Sequence, residues 1–301
     1  MTTTQPADGE FALLAENAAE VGVPVGRVLP VRRVEAETPT GRVSALRWGV
    51  GPVRLVLLHG GGQNAHTWDS VLVALGVPAL AVDLPGHGHS GWRQDKDYSP
   101  GTNAGTVAAA LASWGVGLVP VVGMSLGGLT GIALTARYPG TATGLVVVDV
   151  TPSVLARTVG MTAQQRGTTA LVAGPAEFDS LDAMVEAAAA GAPQRPRAAL
   201  RRGVTHNARQ LPSGRWAWRY DRQTASPEVY ERLWDDLSRI DVPIALVPGG
   251  DSDFVGRADI AEFAGRQPGA TVEMIPGAGH SVQSDRPREL AAFLHRFLRL
   301  G

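Results

Sequence analysis

The chain contains no cysteine. That excludes disulfides, a thiolate nucleophile and thiolate metal sites, while leaving the compartment open. Lysine is nearly as scarce: Lys96 stands alone among 27 basic residues, which reads as coding bias rather than function. No sign of charge is in excess. The formal net charge of −1 gives no electrostatic case for binding nucleic acid or an acidic membrane. No window approaches ~18 uninterrupted apolar residues, so no membrane-spanning helix is expected. The opening stretch MTTTQPADGEFALLAENAAEVGV has no basic n-region and does not read as a signal peptide. The expectation is a cytoplasmic protein that acts on a small molecule, with no cofactor, no nucleic-acid partner and no membrane partner. No pattern sets an oligomeric state.

What is present is a large apolar fraction, 44% of 301 residues, enough for an extensive core. Residues 1–22 read as a polar leader, with a short helix near 10–21. Strand patterns follow near 28–35, 43–48, 54–58, 79–83, 119–122, 145–150, 244–247 and 271–275. Helical patterns fall at 102–114, 126–138, 257–265 and 285–299. Apolar strands alternating with helices predict an α/β protein with a mostly parallel sheet covered on both faces. Asp285 is expected to cap the last helix, with Pro287 in its first turn. The stretch 151–240 is too long for a structureless loop. Leu181, Met184, Val185 and Ala188 recur at helical spacing there. It is read as a helical cap inserted after the sixth strand, with 23–150 and 241–301 as the core.

Ligands of an open parallel sheet bind beyond the carboxyl ends of its strands. Several unusual segments fall there: HGGGQNAHTW (59–68), DLPGHGHS (83–90), GMSLG (123–127), Asp149 to Pro152, GGDSDFV (249–255) and PGAGH (276–280). GMSLG follows an apolar strand and opens a helix. Gly123 and Gly127 remove side chains from a sharp strand-to-helix corner, which fits a G-x-S-x-G elbow that lifts Ser125 above the sheet. A Gly-rich turn with an incidental serine is the plainer reading of the pentapeptide alone. The triplet Gly60–Gly62 also resembles a phosphate loop, but no Lys-Ser/Thr follows it.

Taken together in order and spacing, HGGG, DLPGHGHS, GMSLGG and GAGHSVQSDRP resemble the α/β-hydrolase fold over about residues 28–301. The resemblance implies a serine hydrolase in which Ser125 attacks and His280 is the base. The oxyanion would be met by the backbone N–H groups of Leu126 and Gly61. The acid departs from the commonest family position, where Ser252 now stands between Asp251 and Asp253. Some relatives carry it after the strand that follows the elbow. Asp149 is therefore preferred, then Asp253, then Asp251, with Ser252 as an auxiliary. A carboxylate ending an apolar strand is costly unless it is partnered. Asp149 capping backbone N–H groups near Thr151 is the structural alternative.

His66, Trp68, Trp216 and Trp218 are expected to line the substrate pocket, with Tyr220 and Trp92 nearby, unless these rings are core of the cap. His59 is expected to brace the glycine loop. His87 and His89 belong to a structural turn and lack a third metal ligand. His206 and His295 receive no role, and no metal site is expected. A serine elbow argues against haloalkane dehalogenase or epoxide hydrolase chemistry. The implied reaction is hydrolysis of an ester, lactone or thioester through an acyl-enzyme. The alternatives are a C–C bond hydrolase, a cofactor-free haloperoxidase-like enzyme, or a slow-turnover ligand-binding signalling protein of the same fold.

Overall fold

The computed structural model describes residues 9–222 and 227–300. Eight strands form one sheet: β1 (Val31–Thr38), β2 (Gly41–Trp48), β3 (Val56–Leu58), β4 (Ala79–Asp83), β5 (Val119–Met124), β6 (Ala142–Val148), β10 (Ile244–Val247) and β11 (Thr271–Val272). Their order is β1-β2-β4-β3-β5-β6-β10-β11. Only the β1–β2 and β2–β4 pairings are antiparallel; the rest are parallel. The expected mostly parallel α/β-hydrolase sheet is the one observed.

Period-2 alternation sorts the central strands between two cores. Val56 and Leu58, Val121, and Leu145 and Val147 face one side. Leu57, Val122 and Met124, and Val146 and Val148 face the other. All are buried, and each such side chain contributes roughly 1.5–3 kcal/mol through burial. Helices α3 (Pro100–Ser113) and α4 (Leu126–Arg137) cover the first face. Helices α1 (Leu14–Val21), α2 (Asp69–Leu75) and α13 (Pro287–Phe297) cover the second. The short α12 (Val282–Asp285) precedes α13, and α11 (Arg257–Arg266) lies between β10 and β11.

Three expectations need correction. The short helix expected near 10–21 is α1, but residues 9–22 are part of the core and not a polar leader: Ala18 and Val21 are buried in the second core, and Asn17 Nδ2 donates to Ser70 Oγ at 2.9 Å. Residues 1–8 of that leader lie outside the described residues. The segment after β6 is not purely helical. It holds α5 (Val154–Thr158), α6 (Ala163–Arg166), β7 (Glu177–Phe178), α7 (Leu181–Gly191), α8 (Arg197–Asn207), β8 (Ala208–Gln210) and β9 (Trp216–Trp218). The three short strands form an antiparallel sheet, β7-β9-β8. Its last helices, α9 (Pro227–Glu231) and α10 (Leu233–Ser238), belong to the core, because Tyr230, Leu233, Trp234 and Leu237 pack with the α4 side of the sheet. Finally, Asp285 caps nothing: its Oδ2 accepts from the Gly279 N–H at 3.0 Å instead.

The inserted segment has its own small core of Met184, Val185, Leu200, Val204, Trp218 and Tyr220. It rests on the loops that follow β3 and β4. Gly88 N–H donates to Arg219 O at 2.8 Å, Asp221 N–H to Gly86 O at 2.7 Å, and Asn207 Nδ2 to Gly62 O at 2.6 Å. Among the described residues no helix is long and apolar enough to cross a membrane.

Candidate active site

Ser125 sits between β5 and α4 with φ 51° and ψ −119°, a conformation that L-residues rarely adopt. The corner closes because its neighbours lack side chains. A Cβ on Gly123 would lie 2.2 Å from Gly127 O, and one on Gly127 would lie 2.2 Å from Leu58 O.

His280 Nε2 lies 3.1 Å from Ser125 Oγ, and His280 Nδ1 lies 2.7 Å from Asp149 Oδ2. Asp149 follows β6, which pairs in parallel with β5 on one side and β10 on the other. The wholly buried Asp149 carboxylate is well supplied with donors. Gly249 N–H donates to Oδ1 at 2.8 Å and the Ser252 hydroxyl donates to Oδ2 at 2.5 Å. Burial is thus offset by hydrogen bonds from the loop after β10 and from His280. Asp251 and Asp253 are exposed, and the ring hydrogen bonds of His280 go to Asp149 and Ser125 instead. Phe254, which the sequence reading overlooked, stacks on the His280 ring with centroids 3.5 Å apart and 14° between planes. Its N–H donates to Ser252 Oγ at 3.2 Å, so one short loop both feeds the carboxylate and holds the imidazole face.

The glycine loop is pinned by two buried histidines. His59 Nδ1 donates to Gly60 O at 2.7 Å while its Nε2 accepts from Leu84 N–H at 2.9 Å. His87 Nδ1 donates to Pro85 O at 3.0 Å while its Nε2 accepts from Gly62 N–H at 3.1 Å. Both rings must be neutral to accept. Burial pushes His59 down to about 3, with His87 beside it adding to the effect, and burial also lowers His87. The Gly60 N–H is taken by Gln63 Oε1 at 3.1 Å. Of the three glycines, only Gly61 has an N–H with no acceptor among the described residues. The Leu126 N–H opens α4 and has no intrahelical acceptor either. A hydroxyl beside an imidazole that is itself held by a carboxylate can lose its proton as it attacks, and free N–H groups can receive the resulting oxyanion.

A cavity of about 140 Å³ opens beside Gly61 and Gly62, under the inserted segment. His66 and Trp218 line it, together with Leu171, Val172, Leu200 and Tyr220. Trp68 does not: it is fully buried in the core beneath α2. Trp216 does not line it either, and packs at the edge of the insertion's own core. Trp92 is exposed under the Arg209 guanidinium. The apolar part of the lining gave no sequence signal because its residues come from α8 and from the 3-10 turn Gly167–Ala173 before α7.

The sequence also gave no sign of a cluster at the cavity wall. His66, Asp69 and His206 bring ligand-type atoms within 4.8 Å of one another. His66 Nδ1 lies 2.8 Å from Asp69 Oδ2, its Nε2 lies 3.2 Å from Glu10 Oε1, and the His206 ring stacks on it at 3.6 Å.

The chain belongs to the alpha/beta hydrolase family, whose pattern matches residues 55–293. It is 53% identical over 285 residues to the esterase Rv0045c of Mycobacterium tuberculosis, covering 93% of each chain. A solved structure of that esterase aligns with a TM-score of 0.85 at 51% identity, covering 98% of this chain and 100% of the other. The chain is also 28% identical over 263 residues to the lipase LipV of the same organism, covering 83% of this chain and 94% of that one.

Proposed function

We propose that this chain is a serine hydrolase that cleaves a small, mostly apolar ester or lactone through an acyl-enzyme. The observation that carries the reading is the unbroken line from Ser125 Oγ through His280 to the buried Asp149 carboxylate. In the first half-reaction Ser125 Oγ bonds to the carbonyl carbon while its proton passes to His280 Nε2. The carbonyl oxygen becomes an oxyanion held by the N–H groups of Gly61 and Leu126. His280 then gives the proton to the departing alcohol oxygen as the C–O bond breaks. In the second half-reaction water attacks the acyl-serine, with His280 again taking and returning a proton. Asp149 keeps Nδ1 protonated and stabilises the transient imidazolium. Ser252 and Gly249 hold the Asp149 carboxylate in place through hydrogen bonds to both its oxygens.

The cavity beside Gly61 is taken as the acyl or alcohol pocket: it borders the oxyanion loop and not Ser125 itself, with Leu171, Val172 and Leu200 as its apolar part and Glu20, Arg195 and Arg202 as its charged part. Relatives of this family that are named esterase and lipase support ester cleavage over carbon–carbon cleavage. The test is a panel of acyl chain lengths, lactones and aryl esters, run with wild type and Ser125→Ala. Turnover of esters that vanishes in the variant is expected. Equal turnover in both proteins would overturn the reading. A stoichiometric burst followed by near-zero turnover would point to the ligand-binding alternative.

A further inference from the structure

We propose that Arg195 makes the cavity a subsite for a carboxylate, so that the ester cleaved here carries one carboxylate on the group the cavity takes. The role in turnover rests on the serine hydrolase reading; the binding of the anion does not.

The charges that line the cavity are not equally committed. Glu20 Oε2 accepts from Arg202 Nη2 at 2.7 Å and from Ser70 Oγ at 2.5 Å. Asp69 Oδ2 lies 2.8 Å from His66 Nδ1. These two pairs spend their charge on each other. Arg195 has no such match. Its Nε lies 3.3 Å from Asp285 Oδ1, yet both atoms are buried and neither makes a hydrogen bond, so the two groups attract without aligning. Asp285 is engaged elsewhere, since its Oδ2 accepts from the Gly279 N–H at 3.0 Å. Arg195 lines the cavity with both Nη groups free of acceptors among the described residues and not sealed from solvent. Burial works against its charge, Arg202 adds to that, and Asp285 and Glu20 offset only part. A carboxylate lying across the two Nη groups supplies the two charge-assisted hydrogen bonds that this guanidinium lacks.

Arg195 also stands close to the reacting groups. Asp285 belongs to α12, and its two oxygens meet Arg195 on one side and the backbone of Gly279, next to His280, on the other. The same cavity is lined by Gly61 and Gly62 of the oxyanion loop, and by Leu171, Val172 and Leu200. Oxyanion donors, an apolar wall and one unmatched cation describe a ligand with a carbonyl, a short apolar chain and one negative charge. Half-esters of short dicarboxylic acids have that form, as do acetate esters of short hydroxy acids.

The experiment compares monoethyl succinate, glutarate and adipate, and the acetate esters of hydroxy acids of matching length, each with an uncharged ester of the same length. Wild type is expected to favour the charged member of at least one pair in kcat/KM by about 10-fold or more, mainly through KM. Arg195→Gln should lower that ratio by about 10-fold or more, because a hydrogen-bonded charge is lost. Arg195→Lys, which keeps the charge but not the fork, should lower it less. A merely structural Arg195 would slow both members of a pair alike and leave the ratio unmoved. Thermal melts confirm folding, and if Arg195→Gln does not fold, a ratio at least about 3-fold lower in Arg195→Lys is required. A wild type that favours no charged ester, or an unchanged ratio in the folded variant, would overturn the proposal. Calorimetry on the Ser125→Ala protein, with and without Arg195→Gln, measures binding of the same half-esters without turnover. Binding that depends on Arg195 in a protein whose wild type cleaves no ester would refute the hydrolase reading and keep the subsite. Ester turnover with no dependence on substrate charge would do the reverse.

Discussion

The sheet between β3 and β10 and the segment inserted after β6 put similar apolar residues to different uses. In the sheet, alternate residues of each strand serve two large cores, and the strand ends deliver Ser125, Asp149 and Gly249 to one point. Rare backbone conformations are held there because packing over-determines them: Ser125 and Asp149 have φ values of 51° and 50°. The insertion packs on itself, around Met184, Leu200 and Trp218, and reaches the core through backbone hydrogen bonds and a few side chains. Chemistry built on the first part is rigidly placed. Selectivity built on the second can vary without disturbing it.

The comparison breaks most visibly at the serine. Ser125→Ala is expected to lower kcat by about 10⁴-fold or more with an unchanged melting temperature. Asp149→Asn should follow at about 10³–10⁴-fold. Asp251→Asn and Asp253→Asn, both exposed, should cost less than about 10-fold. Steady-state kinetics on one aryl ester separates these outcomes. A large loss at Asp253 with little at Asp149 would move the acid to the other loop. Ser252→Ala comes next. Its hydroxyl donates to a charged, buried oxygen at 2.5 Å, so about 1.5–3 kcal/mol is at stake, or roughly 10- to 100-fold in kcat.

How much of this was legible in the sequence follows the same division. Strand runs such as VLL at 56–58 and LVVV at 145–148 announce themselves by apolar density, and glycines at 123 and 127 mark a corner that tolerates no side chain. The pairing of Asp149 with His280 was legible because Asp149 ends an apolar strand. Strands of two or three residues in the insertion carry no period to read, and α2 is shorter than the usual helix signal. Trp68 was misplaced because nearness in sequence to the glycine loop says nothing about which way a side chain turns. Phe254 and His206 act through partners distant in sequence, which no local pattern encodes.

Smaller effects sharpen the division. Trp218→Ala should change the ranking of acyl groups by up to about 10-fold while altering acetate ester turnover less. Trp216→Ala, off the cavity, should leave the ranking alone. Uniform loss across the panel, with a lower melting temperature, would show Trp218 to be packing only.

One further effect is on stability and leaves the chemistry alone. Burial pushes the His66 imidazole down, but Asp69 and Glu10 outweigh it and hold it up at about 9. The folded chain therefore keeps a proton that the unfolded chain, near ~6.5, gives up. This contribution is whole below about pH 6.5 and is lost as pH rises through 9, a change on the order of 2–3 kcal/mol. A melting temperature lower by roughly 4 °C or more at pH 9.5 than at pH 6.5 is expected, with a flatter profile for His66→Gln. Identical profiles in both proteins would contradict it.

The central claim is that the core alone sets up one reactive serine. It is tested most directly by treating the protein with a fluorophosphonate and mapping the adduct by peptide mass spectrometry. One adduct per chain is expected, on Ser125, lost in His280→Ala but retained when Trp218 is changed. An adduct on another serine, or labelling of Ser125 at the wild-type rate in a folded His280→Ala protein, would contradict it.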